Sequence, residues 1–547
     1  MDSKNILILG AGLMQKPAIL SAKELGYKVF TVDADSKAVA IPYADEFCQI
    51  DLKAKDEILK YAEKIKASEG LSAVFTAGTD FSTSVSYVCE KLNLPSHSYA
   101  ASQNASVKTL MRECFKKDGV PSPRFVNITT DDFKSGNFHF SDEAFFVENE
   151  SLSFPFVVKP VDNMGARGCR MVRSKDEVIS SLQNALLCSR KGEAIVEEYM
   201  DGPEYSIDAL VYNGSFTVTG FAVRLIKYPP YFIEVGHTMP AVLSPQEHDQ
   251  LISVFACGAK ALGLTQGAAK ADIKFSKNGA MIGEIAARLS GGYMSGWTYP
   301  YASGLNLTKQ AILVAAGNAP RELENLRKPV NFDAGDTSLS KPYELFEVPS
   351  VRTSAERAWI SIPGRVEYIE EIKEYTDQAV RDVLPRATVS PGCDVSFPRN
   401  NVEKCGNIIS VSQSRELAVQ ACEDAVSNVF ITLKPNNKTT DDFLFGSQKD
   451  DEDDFPPNAY ARLCDEELSK ISGQIAENQK IQDVIPAFLQ EKYGSLVDWN
   501  YNTISQTAQK FDILRKNHPA LDAKKFWASL MSGGLQGAVY ISDSQNN

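Results

Sequence analysis

Two carboxylates and an arginine lie close together in the segment between residues 270 and 292. Asp272 belongs to an alternating run and Glu284 follows a Lys277-Asn278-Gly279 turn, so the segment predicts two paired strands that bring these carboxylates together. Adjacent carboxylates repel unless a cation lies between them, and oxygen ligands beside nucleotide phosphates favour Mg²⁺. Arg288 adds a planar group that can bind a phosphate or a carboxylate. The segment therefore predicts a magnesium and phosphate site, and a charged surface hairpin is the alternative.

A lysine at the end of an apolar strand precedes a glycine-containing loop. Lys159 ends the apolar run, and Gly165 and Gly168 lie in the loop that follows. Glycines allow backbone N–H groups to approach phosphate oxygens, and the lysine offers a positive charge to the same ligand. The loop is not a Walker A motif, because no Gly-Lys-Ser/Thr follows its glycines. A plain hairpin is the alternative interpretation.

An acidic hinge follows the next apolar strand. Glu197, Glu198, Tyr199 and Met200 end this strand, and the strand after it carries Glu204. Backbone groups of such a hinge can bind adenine, and a carboxylate just beyond it can accept hydrogen bonds from ribose hydroxyls. A solvated acidic turn is the alternative.

The first hundred residues alternate apolar strands with helices, which predicts a parallel sheet. Gly10 and Gly12 follow the first strand and Asp33 ends the second, a pattern close to a dinucleotide-binding fingerprint. Gln15 stands where the third glycine is expected, so an NAD-dependent oxidoreductase is the weaker hypothesis. Asp80 follows a later strand at the same sheet edge, where ligands of open α/β sheets bind.

In this order the segments resemble the ATP-grasp superfamily over about residues 1–430, and within it the carboxylate–amine ligases that are similar to bacterial L-amino-acid (dipeptide) ligases. The stretch from Phe232 to Ala241 and the turn from Arg288 to Gly292 add to this likeness. The resemblance implies an α/β ATP-grasp fold with an N-terminal Rossmann-like pre-ATP-grasp domain and an extra C-terminal helical region. One departure is Ala286, where many members carry an asparagine two residues after the last metal carboxylate.

The resemblance also implies a role for each motif. Arg288 and Lys159 are the expected catalytic residues, and Asp272 and Glu284 are the expected ligands of Mg²⁺, which Mn²⁺ can replace. The residues expected to bind ATP are Lys108, Lys159, Gly165, Gly168, Glu197, Glu198, Tyr199, Met200, Glu204 and His237. The residues expected to bind the substrates are Asp80, Glu234, His237, Arg288, Gly291 and Gly292.

These roles imply an ATP-dependent ligase that forms an amide, here a peptide bond, through an acyl phosphate and releases ADP and phosphate. Its expected substrates are a small carboxylate and a small amine, both amino acids. A biotin-carboxylase-like ATP-grasp enzyme and a non-catalytic ATP-binding regulator are the other hypotheses. The absence of a biotin-carrier motif argues against the carboxylase, and the intact lysines and carboxylates argue against the regulator.

The composition favours a multi-domain enzyme that binds neither nucleic acid nor membrane. The chain has 547 residues, enough for three or four domains. Its net charge of −13, with no basic stripe, argues against a nucleic-acid partner. The ten cysteines lack the spacing of a zinc site. No charged leader and no apolar stretch of about 18 residues is present, so we expect a cytoplasmic protein.

Motif order and composition predict five segments. Residues 1–103 form the pre-ATP-grasp α/β domain, residues 104–195 the small ATP-grasp lobe, and residues 196–433 the large and C-terminal lobes. Residues 434–457 are an acidic linker. Residues 458–547 are a helical appendage that the resemblance does not cover, and a homodimer interface, a lid and a dock for another enzyme are its alternative roles.

Two further segments carry local signals. Residues 131–151 are polar with little periodicity, which predicts an insertion or a mobile loop. Ser244 as N-cap and Pro245 at the first helical position predict a helix that extends to Leu262.

Overall fold

The computed structural model describes residues 4–371, 378–386, 388–446 and 455–545. Contacts between these residues divide them into two units, each with its own buried apolar side chains. The first unit is drawn from residues 1–164, 168–225 and 237–354, and the second from residues 165–167, 226–236 and 355–547.

A parallel sheet opens the first unit. Its strands are β1 (Asn5–Leu9), β2 (Lys28–Asp33), β3 (Glu46–Gln49) and β4 (Ala73–Phe75), and its helices are α1 (Lys16–Glu24), α2 (Lys55–Ser68) and α3 (Ser82–Leu92). The strand order is β3-β2-β1-β4 with parallel pairing, as the alternation of strands and helices predicts. All five residues of β1 are buried, which is typical of a parallel strand covered on both faces. Helices α4 (Tyr99–Ser106) and α5 (Lys108–Asp118) follow α3 in the chain and precede the next lobe.

The next part of the first unit is an antiparallel lobe. Its elements are β5 (Phe125–Thr129), α6 (Thr130–Ser135), β6 (His139–Phe140), β7 (Ala144–Val147), β8 (Glu150–Ser153), β9 (Phe156–Pro160), β10 (Arg170–Val172), α7 (Val178–Cys188) and β11 (Glu193–Glu198). One sheet has the order β10-β9-β11-β5, and β6, β7 and β8 form a second, three-stranded sheet.

Residues 131–151 therefore lie largely in a helix and short strands, so the loop alternative is wrong, while the insertion alternative stays a prediction. Strands β6, β7 and β8 are only two to four residues long, which is too short for a clear alternation of apolar and polar side chains. Aromatic packing stabilises them instead: Phe145 is 1% exposed, and its ring centroid lies 5.6 Å from that of Phe156 in the main sheet of the lobe.

The remaining elements of the first unit surround a large antiparallel sheet. They are β12 (Glu204–Tyr212), β13 (Ser215–Lys227), β14 (Ile233–Met239), α8 (Pro245–Ala261), β15 (Gly267–Ser276), β16 (Gly279–Ala286), α9 (Tyr299–Ser303), α10 (Leu307–Ala315), α11 (Arg321–Leu326), β17 (Lys328–Pro329), β18 (Glu344–Glu347) and β19 (Thr353–Trp359). The last residues of β13 and β19 and the first residues of β14 belong to the second unit. Within the first unit the strands run β16-β15-β12-β13, and β18 pairs in parallel with β13. The Ser244 side chain accepts from the Glu247 N–H, which confirms the predicted start of α8.

The second unit combines short sheets with helices. Its elements are β20 (Gly364–Glu371), β21 (Val380–Pro385), β22 (Asp394–Val395), β23 (Gly406–Ser412), α12 (Arg415–Ser427), β24 (Val429–Leu433), α13 (Lys438–Phe445), α14 (Asp465–Ser469), β25 (Gln474–Ile475), α15 (Ala487–Tyr493), α16 (Ile504–Leu514), β26 (Leu521–Asp522) and α17 (Ala523–Gln545). β20 lies between β22 and β24, and β21 pairs with β23. Helix α17 is kinked at Gly534, which has φ +58°. Helix α13 lies inside the predicted linker, whose residues 447–454 fall outside the described ranges.

The C-terminal appendage is joined to this unit by side-chain hydrogen bonds to backbone. Asn500 accepts from the Ile360 N–H at 2.9 Å and donates to the Ile360 carbonyl at 2.8 Å. Gln536 of α17 accepts from the Ile362 N–H at 3.0 Å and donates to the Ile431 carbonyl at 3.0 Å. These amide side chains bond directly to backbone groups of Ile360, Ile362 and Ile431, so the appendage completes this part of the fold.

Across the described ranges, none of the helices has the length and apolar character that crossing a membrane requires. All ten cysteines are unpaired.

Candidate active site

A polar face crosses three neighbouring strands of the first unit. On β15, Lys270, Asp272 and Lys274 share one face, because side chains alternate along a strand. Asp272 lies opposite Glu284 of β16, and Lys270 lies opposite Asp208 of β12. The predicted pairing of Asp272 with Glu284 is therefore confirmed.

Two cations contact the Asp272 carboxylate. Nη1 of Arg224 lies 3.0 Å from one oxygen, and the ammonium group of Lys270 contacts the other. The same Arg224 nitrogen lies 2.5 Å from Oε1 of Glu204. Since a guanidinium lies between Glu204 and Asp272, it bridges these two carboxylates on adjacent strands.

Glu284 is the more accessible of the two predicted metal ligands. Its side chain is 36% exposed, against 19% for Asp272. Nζ of Lys108 lies 3.6 Å from Oε2 of Glu284 and donates to the Asn163 carbonyl at 3.0 Å. Desolvation acts to raise the pKa of Glu284, but the ammonium groups of Lys108 and Lys270 outweigh it and lower that pKa to about 2. Glu284 is therefore ionised at neutral pH and open to a ligand.

Lys159 and Arg112 share a buried carboxylate. Nζ of Lys159 lies 2.6 Å from Oε2 of Glu197, and Nε of Arg112 lies 2.8 Å from Oε1. Burial acts to raise the pKa of Glu197, but the two cations outweigh it, and the pKa is lowered. The Glu197 side chain is 1% exposed while that of Lys159 is 20% exposed. The Glu197 carboxylate therefore positions two cations and does not itself face a nucleotide.

The glycine loop between β9 and β10 has a left-handed backbone at both of its predicted glycines. Gly165 has φ +68° and Gly168 has φ +73°. A Cβ at Gly168 would lie 2.8 Å from the Cβ of Cys188, so this position requires glycine. The Asn163 side chain donates to the Cys188 carbonyl at 3.1 Å and anchors the start of the loop on α7.

The hinge at residues 197–200, which ends β11, is held by Lys274 on the polar face of β15. Nζ of Lys274 donates to the Met200 carbonyl at 3.0 Å and lies 5.2 Å from the centroid of the Tyr199 ring. Glu198 points outward to the exposed Arg124, at 3.4 Å. The side of the hinge next to the polar face therefore consists of backbone groups and the Tyr199 and Met200 side chains. It is not an acidic surface.

The turn after β16 packs on the loop that follows β4. The Gly78 N–H donates to the Leu289 carbonyl at 3.3 Å. A Cβ on Gly291 would lie 3.1 Å from the Gly78 carbonyl oxygen, so a glycine allows this close approach, and Gly292 follows with φ +60°. Asp80 is half-buried in the same loop as Gly78. The structure thus brings the Asp80 loop and the glycine turn together.

Arg288 is half-buried and has no carboxylate partner among the residues that the structure describes. Its Nη1 donates to the Leu289 carbonyl at 3.1 Å. The side chain also borders a cavity whose wall includes Thr76, His97 and Gln266. A partly desolvated guanidinium without a carboxylate at ion-pair distance favours an anionic ligand, either a phosphate or a carboxylate.

Asp208 is a buried carboxyl that anchors the Arg288 turn. Its Oδ2 accepts from the Ser290 N–H at 3.0 Å and from the Ser290 hydroxyl at 2.8 Å. The residue is 0% exposed, and this desolvation raises the pKa of Asp208 to about 7, although both hydrogen bonds oppose the shift. Its charge therefore changes near neutral pH.

Asp208→Asn is expected to stabilise the protein increasingly as the pH rises. Between about pH 4 and pH 7 the unfolded chain has lost the Asp208 proton that the folded chain keeps, so the free energy of unfolding of the wild type falls as the pH rises. Asparagine can still accept from Ser290 but has no charge to bury. Denaturant unfolding at pH 5 and pH 8 should show a gap that grows to about 2–4 kcal/mol at pH 8. A gap that stays constant would contradict this account.

The two predicted substrate residues on β14 differ in their environments. His237 is 0% exposed, and its Nε2 lies 2.8 Å from the Thr298 hydroxyl, so the ring is a buried support in the first unit. Glu234 belongs to the second unit, where its N–H donates to Asn401 Oδ1 at 2.8 Å and its carbonyl accepts from Lys404 at 2.7 Å.

The space beside the glycine turn after β1 is occupied by the side chain of Gln15. The Gln15 side chain accepts from the Gly12 N–H at 3.1 Å and donates to the Ala77 carbonyl at 2.6 Å. A Cβ at Gly10 would lie 3.0 Å from the Gln15 side chain. Asp33 accepts from the Ala11 N–H at 2.8 Å. Since the space beside the turn and the Asp33 carboxylate are both taken, the arrangement does not favour the dinucleotide hypothesis.

Sequence reasoning missed several residues of this site. The signal for two of them was present, because Lys270 and Lys274 flank Asp272 at a spacing of two in a predicted strand. Arg112 and Arg224 carry no such signal, since they reach the site from a helix and a strand distant in the chain. Asp208 was missed because its role depends on a hydrogen bond to the turn.

Comparisons with known proteins agree with this arrangement. A family model described as the ATP-grasp domain matches residues 152–296. Carnosine synthase 1 of Homo sapiens is 24% identical over 343 residues, which is 58% of this chain and 40% of that protein. Alanine–anticapsin ligase of Bacillus subtilis (strain 168) is 23% identical over 266 residues, which is 44% of this chain and 53% of that protein. The chain thus spans about half or less of these two relatives.

The fold also matches solved structures. The crystal structure of L-amino acid ligase from Bacillus licheniformis has a TM-score of 0.64 at 19% identity, and the match covers 79% of this chain and 100% of that one. Residues 152–296 thus match the ATP-grasp domain, and the chain shares the fold of this ligase, as its sequence motifs predict.

Proposed function

We propose that this protein is an ATP-dependent carboxylate–amine ligase that joins two small molecules, amino acids or close relatives of them, through an acyl phosphate. One observation carries the proposal. Arg288 forms no ion pair with a carboxylate among the described residues and follows the strand of Glu284, beside a polar face that carries lysines as well as carboxylates. Such a face fits a triphosphate and a second anion. The relatives named as a carnosine synthase and an alanine–anticapsin ligase support this class of reaction.

The nucleotide is proposed to lie between the glycine loop and the polar face. Lys159 and Lys108 neutralise its phosphates, and the N–H groups of the glycine loop, including Gly165 and Gly168, approach the phosphate oxygens. The backbone at Glu198, Tyr199 and Met200 recognises adenine, and Glu204 accepts from the ribose.

Asp272 and Glu284 fit a Mg²⁺ ion or its substitute Mn²⁺. They are paired across two strands, and this ion usually takes one or two carboxylates together with phosphate oxygens. Among the described residues no group of three or more metal-binding side chains is found, so the ATP phosphates would supply the other ligands. When bound, the ion would withdraw charge from the phosphates during transfer.

The residues present then support two consecutive steps. A carboxylate oxygen of the first substrate attacks the γ-phosphorus of ATP, the bond to the β-phosphate oxygen breaks, and ADP leaves. The amine of the second substrate attacks the acyl carbon, phosphate leaves, and the amine loses its proton. Arg288 stabilises the charge on the transferring phosphoryl group and on the acyl phosphate. Asp80 and the Gly291-Gly292 turn are proposed to line one substrate site, and Glu234 is proposed to contact the other substrate.

A pairwise screen of the standard amino acids with Mg²⁺ and ATP tests this proposal. Phosphate release should require one particular pair, and the product mass should equal the sum of the two substrates less water. With hydroxylamine in place of the amine, the correct carboxylate should yield a hydroxamate, because hydroxylamine attacks acyl phosphates.

Three outcomes would contradict the proposal. ADP release that needs bicarbonate instead of an amine would favour a carboxylase. ADP release without any hydroxamate would show that the phosphoryl group goes elsewhere. Tight ATP binding without turnover for any pair would favour a regulator.

A further inference from the structure

Asp80 and Arg288 carry opposite charges on two segments that pack against each other. Asp80 lies in the loop after β4, and a parallel bridge joins Ala77 of this loop to Leu289 of the turn after β16. The Gly78 N–H also donates to the Leu289 carbonyl at 3.3 Å. Both segments belong to the first unit. The two charged residues therefore belong to one packed region of a single unit.

Neither of these side chains forms an ion pair among the residues that the structure describes. Arg288 donates to the Leu289 carbonyl, and no carboxylate lies at ion-pair distance from it. Asp80 is half-buried, and its carboxylate has no described cation or hydrogen-bond donor at contact distance. A carboxylate and a guanidinium that are both partly desolvated favour a ligand with the two complementary charges. An α-amino acid is such a ligand, since one carbon joins its ammonium group to its carboxylate.

A cavity of about 50 Å³ borders Arg288. Thr76 and Arg288, which precede the two residues of the parallel bridge, both line it. The rest of its wall is mainly apolar and includes Phe75, Val85, Ala311 and Ala315. A cavity needs roughly 10–15 Å³ to hold one water-sized group, so this one has room for about three or four such groups. A short, mainly apolar side chain fits this space.

We propose that the carboxylate substrate is a free α-amino acid with a short, mainly apolar side chain. Arg288 binds its carboxylate, Asp80 binds its ammonium group, and the cavity takes its side chain. The inference rests on the proposed function, in which Arg288 holds the group that becomes the acyl phosphate. The three groups of an α-amino acid share one carbon, so a carboxylate at Arg288 places the side chain next to the cavity that Arg288 borders.

The same contact determines which end of this amino acid reacts. An ammonium group paired with the Asp80 carboxylate stays protonated, because a nearby opposite charge favours the charged form. A protonated amine has no electron pair with which to attack an acyl carbon. The amino acid at this site is therefore used through its carboxylate, and the amine of the second substrate is the nucleophile. Asp80 and Ala311 are specificity-determining residues in this account.

Hydroxamate formation tests the ammonium contact without the second substrate. Hydroxylamine is the nucleophile, and the carboxylates compared are the amino acid found in the screen, its N-acetyl derivative and its deamino analogue. The free amino acid should have a kcat/KM about 30-fold above that of either derivative. Asp80→Asn should raise KM for the amino acid about 30-fold and KM for the deamino analogue less than about twofold. Asp118→Asn, which changes an exposed aspartate of the same unit, is the matched control.

Cavity-filling variants test the side-chain contact. Ala311→Leu fills the cavity from a position of α10 that is 2% exposed, and Ala315→Leu fills it from a half-buried position that tolerates a larger side chain. Each should raise KM about tenfold for the amino acid with the largest side chain that the wild type accepts. KM for glycine, which has no side chain, should change less than about twofold. Ala316→Leu, at a residue that does not line the cavity, is the matched control.

Calorimetry gives a readout that does not depend on turnover. The amino acid is titrated into the protein in the presence of a non-hydrolysable ATP analogue and Mg²⁺. Its affinity should fall about 30-fold in Asp80→Asn and should be unchanged in Asp118→Asn. The affinity for the ATP analogue should be unchanged in both variants, since Asp80 contacts only the amino acid.

The outcomes separate the inference from the proposed function. Equal use of the amino acid and its deamino analogue would overturn the inference and leave the ligase reaction in place. An equal effect of Asp80→Asn on both carboxylates, or an unchanged side-chain preference in Ala315→Leu, would also overturn it. A wild-type enzyme that forms no hydroxamate from any carboxylate would instead overturn the proposed function, while calorimetry would still show whether Asp80 binds an amino acid.

Discussion

Arg288→Ala is expected to slow ATP-dependent phosphate release by about two to four decades, because two charge-assisted hydrogen bonds to the transferring group are lost. Arg288→Lys should fail nearly as badly, since a point charge cannot reproduce the two parallel bonds of a guanidinium. ATP affinity should change little, because the lysines Lys108 and Lys159 hold the phosphates in the proposed site. Steady-state phosphate release and calorimetric ATP binding measure the two quantities separately.

The control for this prediction is Arg365→Ala, which removes an arginine from a surface pair with Asp394. It should leave phosphate release unchanged. If Arg288→Lys retained most of the wild-type rate, the proposed bidentate contact would be wrong. If the Arg288 variants also lost ATP affinity, Arg288 would have to be assigned to nucleotide binding.

Glu284→Gln is expected to abolish phosphate release while the fold is retained. The change removes a ligand charge but almost no volume, and an amide binds Mg²⁺ more weakly than a carboxylate does. The loss should persist between pH 6 and about pH 9, because a carboxyl with a pKa of about 2 stays ionised throughout this range. Phosphate release at increasing Mg²⁺ concentration, with a thermal melt of each protein, provides the measurement.

Glu344→Gln is the matched control for this variant, since Glu344 lies at the surface in a pair with Lys341. It should behave as the wild type at every Mg²⁺ concentration. Normal turnover of Glu284→Gln would show that Glu284 is not a metal ligand. Rescue of phosphate release by excess Mg²⁺ would show that Glu284 contributes only to the affinity for Mg²⁺.

The central pair of the site could be predicted from the sequence because both carboxylates lie in one hairpin. The register set by the Lys277-Asn278-Gly279 turn alone would place Asp272 opposite Gly283, and an irregularity between Asp272 and Ile273 shifts the pairing so that Asp272 opposes Glu284. The ATP-grasp fold was predicted from the order of the motifs, each of which is weak when considered alone. Local periodicity and turn chemistry therefore placed the two carboxylates near each other, although they did not predict the bulge that aligns them.

The cations around the pair could not be predicted in the same way. Arg112 binds Glu197 from a helix, and Arg224 of β13 binds Asp272 of β15 across the intervening strand β12, so their roles exist only after the sheet and helix have packed. The role of Glu197 could not be predicted for the same reason. Its sequence context is typical of a nucleotide-binding hinge, but its side chain is buried and binds Arg112 and Lys159. Burial depends on tertiary packing, and no local pattern reports it.

The side-chain amides of Asn500 and Gln536 have a practical consequence for dissecting the molecule. A resemblance predicted to extend over about residues 1–430 invites a shortened chain or a chimera with that endpoint. Such a product would leave the N–H groups of Ile360 and Ile362 without these partners and would uncover Phe397 and Trp359. A transplanted C-terminal lobe therefore has to carry the appendage with it, and the breakpoint for recombination should not be placed at the boundary of the resemblance.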